Sequence, residues 1–205
     1  DVYKRQYMNG PILSIITVNF NNNLGLLKTL ESVSSQSFSS YEHIIIDAGS
    51  TDGSRETIIQ YEKENPHLSF WSSESDKGIY DGMNKGIDHA KGQYLYFLNS
   101  GDCLSQDILA KIPFDGTEYL YGDTILFYKR KTKKRVYPDT LDLIYLSDNS
   151  LHHQSCFIHH TLFKDKRYDI NYKIISDWAH CFQCLIIENR TYRHLPYIIL
   201  SLIHI

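Results

Sequence analysis

The apolar positions of this chain fall into two textures that meet at residue 102. Before that point, short continuous apolar runs alternate with longer stretches in which apolar residues recur every three or four positions. Ile12 to Val18 (ILSIITV) is an unbroken, β-branched run, the pattern of a parallel strand buried on both faces. It stops at Asn19-Phe20-Asn21-Asn22-Asn23, asparagines that suit turns and helix caps, and Leu24, Leu27, Leu30 and Val33 follow at helical spacing. The unit recurs. Glu42 to Ile46 predicts a strand, Asp47 to Ser54 (DAGSTDGS) a turn and cap, and Ile58, Ile59 and Tyr61 the next helix. Leu68 to Trp71 predicts a third strand, Ile79, Met83, Ile87 and Ala90 give one apolar face to a third helix, and Tyr94 to Leu98 predicts a fourth strand. Strands alternating with helices in this way imply a parallel sheet covered on both faces, with right-handed crossovers.

Beyond Asp102 the spacing changes. Ser105 to Ile112 predicts one short helix, while Glu118 to Tyr128 and Arg135 to Tyr137 predict strands flanking the basic run Lys129 to Lys134, a hairpin with a charged tip. Ser155 to Ile158 predicts another strand, and Ile174 to Glu188 a helix running through Ile175, Trp178, Cys181, Phe182 and Leu185. The expected fold class is α/β: three layers, with a mostly parallel central sheet and a small antiparallel addition. No internal repeat, linker or low-complexity stretch divides the chain, so a single domain is expected. Residues 1–7 (DVYKRQY) precede Met8 and carry no pattern joining them to the first strand; they read as a non-native extension, with 8–205 as the domain. The closing SLIHI reads as a similar scar, with the natural chain continuing past it.

Composition narrows the class. With 205 residues, 42% hydrophobic and 22% charged, the chain can bury a full-sized core. A net charge of -3 lacks the basic footprint of a nucleic-acid binder. Four scattered cysteines without a secretory signal predict reduced thiols and a cytoplasmic protein, and no apolar run approaches the roughly 18 residues of a membrane span. The candidate chemistry sits where the textures meet. A strand as oily as Tyr94 to Leu98 ends in Asn99-Ser100-Gly101-Asp102, at the edge where open α/β sheets hold ligands. An acid beside a glycine there suits a divalent cation carrying phosphate oxygens.

Six segments in order, SIITVNFNN, IIIDAGSTDGS, SESDKGIYDGMNKGI, YFLNSGD, HHQSCFIHHTLF and YDINYKIISDW, resemble the family 2 glycosyltransferases. The resemblance runs from Pro11 to about Pro196 and is nearest to bacterial enzymes of capsule, colanic-acid and lipopolysaccharide assembly. It implies the GT-A nucleotide-sugar-binding fold and an inverting transfer from a nucleotide-diphosphate sugar, with UDP the expected carrier, to a glycan or lipid-linked hydroxyl. Asp47 matches the family aspartate that accepts a hydrogen bond from the base, with Thr17, Asn19, Asn21, Gly49 and Ser50 around it. Asp76, Lys77 and Asp81 fall in the donor-sugar and phosphate segment, Lys77 offsetting diphosphate charge, and Asn99 joins the donor set. Asp102 matches the metal ligand for Mg²⁺ or Mn²⁺, although the usual first acid of an Asp-x-Asp motif is replaced here by Asn99-Ser100-Gly101. Asp177 matches the acid that deprotonates the acceptor, and His153 and Gln154 match a His-Gln pair placed near acceptor or phosphate, with Trp178 as a stacking platform.

Each assignment has a plainer counterpart. Asp47 and Asp52 suit a turn and a helix cap, Asp81 a first-turn helix acid, Asp177 a helix cap, Trp178 a core position, and NSGD a polar turn. Zinc ligation by His159, His160, Cys181 and Cys184 is disfavoured because the two cysteines sit three apart in a helical pattern where both can face the core. The basic tip reads as a solvated turn or as a contact to anionic lipid, which would place the enzyme peripherally at the inner face of the membrane. Two further classes stay open: a non-catalytic nucleotide-sugar-binding scaffold, and a sugar-phosphate nucleotidyltransferase, for which Asn19 to Asn23 lacks the glycine- and arginine-rich loop.

Overall fold

A computed structural model describes residues 10–128 and 131–203; the expectations for residues 1–7 and for Lys129 and Arg130 lie outside the described residues. Strand β1 (Leu13–Asn19) leads into helix α1 (Asn23–Ser34), β2 (Tyr41–Asp47) into α2 (Ser54–Glu64), and β3 (Leu68–Ser73) into α3 (Ile79–His89), which returns to β4 (Tyr94–Phe97). β1 pairs in parallel with β2 and β4, and β2 with β3. Both β1 and β2 are buried along their whole length, the physical reason their apolar residues do not alternate with exposed ones, and the polar residues within them, such as Thr17 and His43, bond to each other. Ile16 and Val18 pack with Met83 and Ile87 of α3 on one face. Ile45 packs with Leu26 and Leu30 of α1 and Ile58 of α2 on the other, completing three layers.

The sheet does not stop at β4. It continues through β8 (Cys156–His159), β6 (Tyr119–Tyr128), β9 (Tyr192–Ile203) and β5 (Cys103–Leu104), giving the order β3-β2-β1-β4-β8-β6-β9-β5, with β7 (Lys131–Arg135) also paired to β6. Here β6 and β9 are parallel, and the β4–β8, β8–β6, β9–β5 and β6–β7 pairs antiparallel. Because the β6–β9 pairing is the longest of these, the sheet remains mostly parallel with an antiparallel addition, as the sequence suggested. Helices α4 (Leu143–Asp148) and α5 (Ser176–Phe182) complete this half, α5 running on as a π-helical turn, Gln183–Ile187. Cys181, Cys184 and Leu185 enter the same apolar cluster as Met83, so the two cysteines face the core.

Three expectations are corrected. Strand β9 was not anticipated. Pro196 and Tyr197 interrupt its register with β6, between Leu195 opposite Gly122 and Ile198 opposite Asp123, because proline cannot donate to the ladder. The backbones close tightly at that break: a Cβ on Gly122 would lie 2.6 Å from Ile199 Cγ1 and 2.9 Å from the Tyr197 carbonyl, which only glycine avoids. The helix expected over 105–112 shrinks to a 3₁₀ turn, Leu109–Lys111, since β5 pairs with β9 and the Ser105 amide donates to Ile199 O at 2.9 Å. The basic run is not all tip: Lys131–Arg135 is the exposed strand β7, an edge on which lysines discourage further pairing. Among the described residues no helix is long and apolar enough to cross a membrane.

Candidate active site

Helix α1 leaves β1 on one face of the sheet and α3 enters β4 from the other. A crevice therefore opens at the carboxyl ends of β1 and β4, the switch point where open α/β sheets bind ligands. A cavity of about 610 Å³ occupies it, lined in part by Asn19, Phe20, Ala48, Asp76, Asn99 and Ser100. That volume suits a cofactor-sized ligand.

The floor is built from the ends of β1 and β2, where Asn19 stands opposite Asp47. Asp47 is fully buried. Its Oδ1 accepts from Asn19 Nδ2 at 2.7 Å and Ser50 Oγ at 2.5 Å, and its Oδ2 from Ser73 Oγ at 2.6 Å and the Ser50 amide at 2.9 Å. Burial pushes this carboxyl up, yet the bonds from Ser50, Ser73 and Asn19 outweigh it and hold the pKa below the ordinary carboxylate value. Gly49, at φ +76°, makes the turn that returns the Ser50 amide to Asp47. The Asn21 amide donates to Ser50 Oγ at 2.8 Å, and Asn21 Oδ1 accepts from the Thr51 amide at 2.9 Å, pinning one loop to the other. Asn19 Oδ1 and Asn99 Oδ1 are buried with no hydrogen-bond partner among the described residues. Such acceptors are costly unless something fills them.

The Asn99-to-Asp102 turn is fixed from α1. Asn22 Nδ2 donates to Ser100 O at 2.9 Å, Thr29 Oγ1 donates to Asp102 O at 2.8 Å, and the Gly101 amide donates to Thr29 Oγ1 at 2.9 Å. On its other side a single 3₁₀ turn, His153–Ser155, reaches both remaining candidate acids. Gln154 Nε2 donates to Asp102 Oδ2 at 3.3 Å, and His153 Nδ1 lies 2.7 Å from Asp177 Oδ2. His153 Nε2 faces Asn99 Nδ2 at 3.4 Å. Asp177, in the first turn of α5, is also met at Oδ1 by the Tyr80 hydroxyl at 2.7 Å, which lies 2.6 Å from Ile174 O as well. Burial raises the Asp177 pKa, but bonding and charge from His153 and the bond from Tyr80 bring it below the usual value. Burial and the adjacent Asp177 push the Tyr80 hydroxyl far up, so it stays a donor.

The family model described as Glycosyl transferase family 2 matches residues 14–161. The chain belongs to glycosyltransferase family 2. Among relatives of this family 2 member, a PGL/p-HBAD biosynthesis glycosyltransferase of Mycobacterium bovis BCG is 29% identical over 185 residues, covering 86% of the chain and 71% of the relative. An uncharacterized glycosyltransferase of Mycobacterium tuberculosis H37Rv is 41% identical over 105 residues, 50% of the chain and 39% of that protein. A Bacillus subtilis protein named for teichuronic acid biosynthesis, TuaG, is 37% identical over 49% of the chain and 40% of its own length. In three dimensions the Staphylococcus aureus TarS fragment 1-349 in complex with UDP superposes with a TM-score of 0.77 at 17% identity, over 94% of this chain and 60% of that one. The mannosyltransferase PcManGT of Pyrobaculum calidifontis, with GDP-Man and Mn²⁺, gives 0.71 at 14% identity, over 98% and 62%. The fold is the GT-A fold of these transferases.

Against that family, the structure sorts the expected site residues. Asn19, Asp76 and Asn99 line the cleft; Lys77 and Asp81 line a smaller hollow beside it, shared with Tyr80 and Lys173. Asp76 and Asp81 also brace their own loop, accepting from the Gly78 amide at 2.8 Å and the Lys77 amide at 3.0 Å. Asp47, with Ser50, lies beneath the cleft rather than in it: its two oxygens already take four bonds, so it supports the pocket instead of offering a free acceptor to a base. Thr17 is turned into the core, its hydroxyl 2.9 Å from His43 Nε2. Trp178 is held away from the cleft by Nε1 donating to Leu146 O at 2.8 Å and by packing on Phe182. Sequence reading passed over Tyr80, Asn22, Thr29 and Ser73. Tyr80 sits on the apolar face of α3 and reads as core; its partner is 97 residues away, so no local spacing marks it.

Proposed function

We propose that this family 2 glycosyltransferase moves a sugar from a nucleotide-diphosphate sugar to an acceptor hydroxyl, with inversion, in bacterial surface polysaccharide assembly. One observation carries the reading: the cleft with its two unpartnered amide oxygens is joined through Asn99 and His153 to a carboxylate held for proton transfer. A single displacement needs one base and no carboxylate nucleophile, and Asp177, bonded to His153 and Tyr80, is our candidate for that base. Support for a nucleotide-sugar donor comes from fold neighbours that hold UDP, UDP-GlcNAc or GDP-Man, and for glycan assembly from the names of the relatives. UDP is our expected carrier, with the base seated near Asn19 above Asp47. The exposed Lys77, in the hollow beside the cleft, is our candidate to offset diphosphate charge.

Our candidate holder of Mg²⁺ or Mn²⁺ is Asp102, a hard carboxylate oxygen donor in the turn that carries the cleft residues Asn99 and Ser100, since these ions are commonly held by one or two carboxylates together with substrate phosphates and water. Bound there, the ion would neutralise charge on the leaving diphosphate. The acceptor is a glycan or lipid-linked hydroxyl entering from the α5 side. The exposed lysines of β7 support a peripheral encounter with anionic lipid.

Calorimetric titration with UDP, GDP and dTDP, each with and without Mn²⁺, tests the reading. Metal-enhanced binding of one nucleotide, with the enhancement lost in Asp102→Ala, is expected. A folded chain that binds none of the three overturns it, and one that binds a nucleotide but never turns over its sugar is the scaffold instead.

A further inference from the structure

Three oxygens meet at Tyr80, and one hydrogen serves them. The hydroxyl oxygen stands 2.7 Å from Asp177 Oδ1 and 2.6 Å from the Ile174 carbonyl oxygen. A backbone carbonyl and an ionised carboxylate only accept, and a phenol carries a single hydrogen, so Tyr80 either serves one of them fully or is shared between both. While Asp177 is ionised, its charge draws the hydrogen toward Oδ1. His153 Nδ1 takes one lone pair of Oδ2, which leaves each Asp177 oxygen a second lone pair, and the side chain is 16% exposed, open to an acceptor. Tyr80 is buried, so a hydroxyl stranded there without an acceptor would be costly. Ile174 belongs to the exposed segment Tyr172-Lys173-Ile174-Ile175 ahead of α5, whose Tyr172 and Lys173 line the hollow beside the cleft.

From this geometry we infer that Tyr80 is a positioning residue whose hydroxyl hydrogen moves from Asp177 to the Ile174 carbonyl when Asp177 takes up a proton, in turnover the acceptor's. The inference rests on the transferase reading above, with Asp177 as base, and deepens it. In the transfer the acceptor O–H bond breaks and its proton passes to a free lone pair of Asp177. The acceptor oxygen bonds to the anomeric carbon as the bond from that carbon to the diphosphate oxygen breaks, and the nucleoside diphosphate leaves with the electron pair. The carboxyl, now neutral, holds the Tyr80 hydrogen less strongly than the amide carbonyl does. The hydrogen moves to Ile174 O, and no buried hydroxyl is left unpaired. The carbonyl thereby lowers the cost of loading the base, and the charge state of Asp177 is passed to the backbone of an exposed segment beside the cleft.

The test reads the Ile174 carbonyl by its carbon-13 chemical shift at neutral pH, in isoleucine-labelled protein with the signal assigned through Ile174→Val. Asp177→Asn stands in for the loaded base: the His153 Nδ1–H keeps the new amide oxygen on its side, so the amide nitrogen, a donor, faces the Tyr80 oxygen and directs the hydroxyl hydrogen to Ile174 O. The carbonyl signal should move toward stronger bonding in Asp177→Asn, and the movement should vanish when Tyr80→Phe is added. No movement, or movement that survives Tyr80→Phe, overturns the inference. A second arm follows nucleoside diphosphate release to water from UDP-N-acetylglucosamine, UDP-glucose and GDP-mannose. Tyr80→Phe should lower kcat about tenfold with KM within about threefold, and should move the acid limb of the rate to higher pH, because the bond favouring the charged carboxylate is gone. The other groups that face Asp177 are the same in both proteins: His153, Cys156 on β8, Tyr168 ahead of α5, and His180 and Cys181 on α5. An acid limb that stays in place also overturns it. A parent that shows the carbonyl movement yet neither binds UDP, GDP or dTDP nor releases a nucleoside diphosphate overturns the transferase reading alone.

Discussion

The two halves of the sheet build their parts of the site in different ways. In the parallel half, the pocket floor comes from the ends of neighbouring strands, with Asn19, Asp47 and Ser50 locked by bonds between adjacent β-α turns. Where that half meets the mixed remainder of the sheet, the groups meant for chemistry come from distant segments: Tyr80 with Asp177, Asn99 with His153, Gln154 with Asp102. The floor is a property of a supersecondary unit, whereas the proton-handling group exists only once the whole sheet has closed. Damage to the first should therefore show in stability and nucleotide binding, and damage to the second in turnover.

The sharpest way to break this comparison is Asp177→Asn. It should cut transfer by roughly 10³-fold while leaving nucleotide affinity nearly unchanged, and should lower stability only by the charge-assisted part of its bonds to His153 and Tyr80; a large loss of binding would mean that the halves are not separable. The next largest effect is expected in the floor. Asp47→Ala leaves the Asn19, Ser50 and Ser73 donors without their acceptor and should cost about 3 kcal/mol in urea unfolding, with weaker nucleotide binding.

Tyr80→Phe removes one bond to a buried carboxylate and should slow transfer about tenfold at unchanged nucleotide affinity, read from steady-state rates. Acid provides a milder probe of both halves. Asp47 and Asp177 have folded pKa values below the ordinary one, so the stability they give is complete above about pH 5 and fades as pH falls through the lowered values. The urea midpoint should drop in that window, and Asp47→Asn should flatten the drop. Smallest of all, Trp178→Phe loses only the bond to Leu146 O, with about 1 kcal/mol of stability and transfer within twofold. A larger loss of transfer would restore Trp178 as an acceptor platform.

The sequence by itself determined the parallel half almost element by element. Continuous β-branched runs, asparagine and aspartate turns and helical spacing are local signals, and burial on both faces forces them to be written into neighbouring residues. It also marked Asp177, His153, Gln154, Asn99 and Asp102 as polar groups beside apolar runs. What only the tertiary structure decided is how those residues are used. Thr17 and Asn19 share one strand, yet one hydroxyl is spent inside the core on His43 and the other residue lines the cleft. Strand β9 escaped notice because its ladder is broken at Pro196, and its partner β6 lies some 70 residues earlier in the chain. The clasp of Tyr80 and His153 on Asp177 depends on contacts 97 and 24 residues apart, set by where the closed sheet brings α3, α5 and the 153–155 turn and not by any spacing a chain can carry.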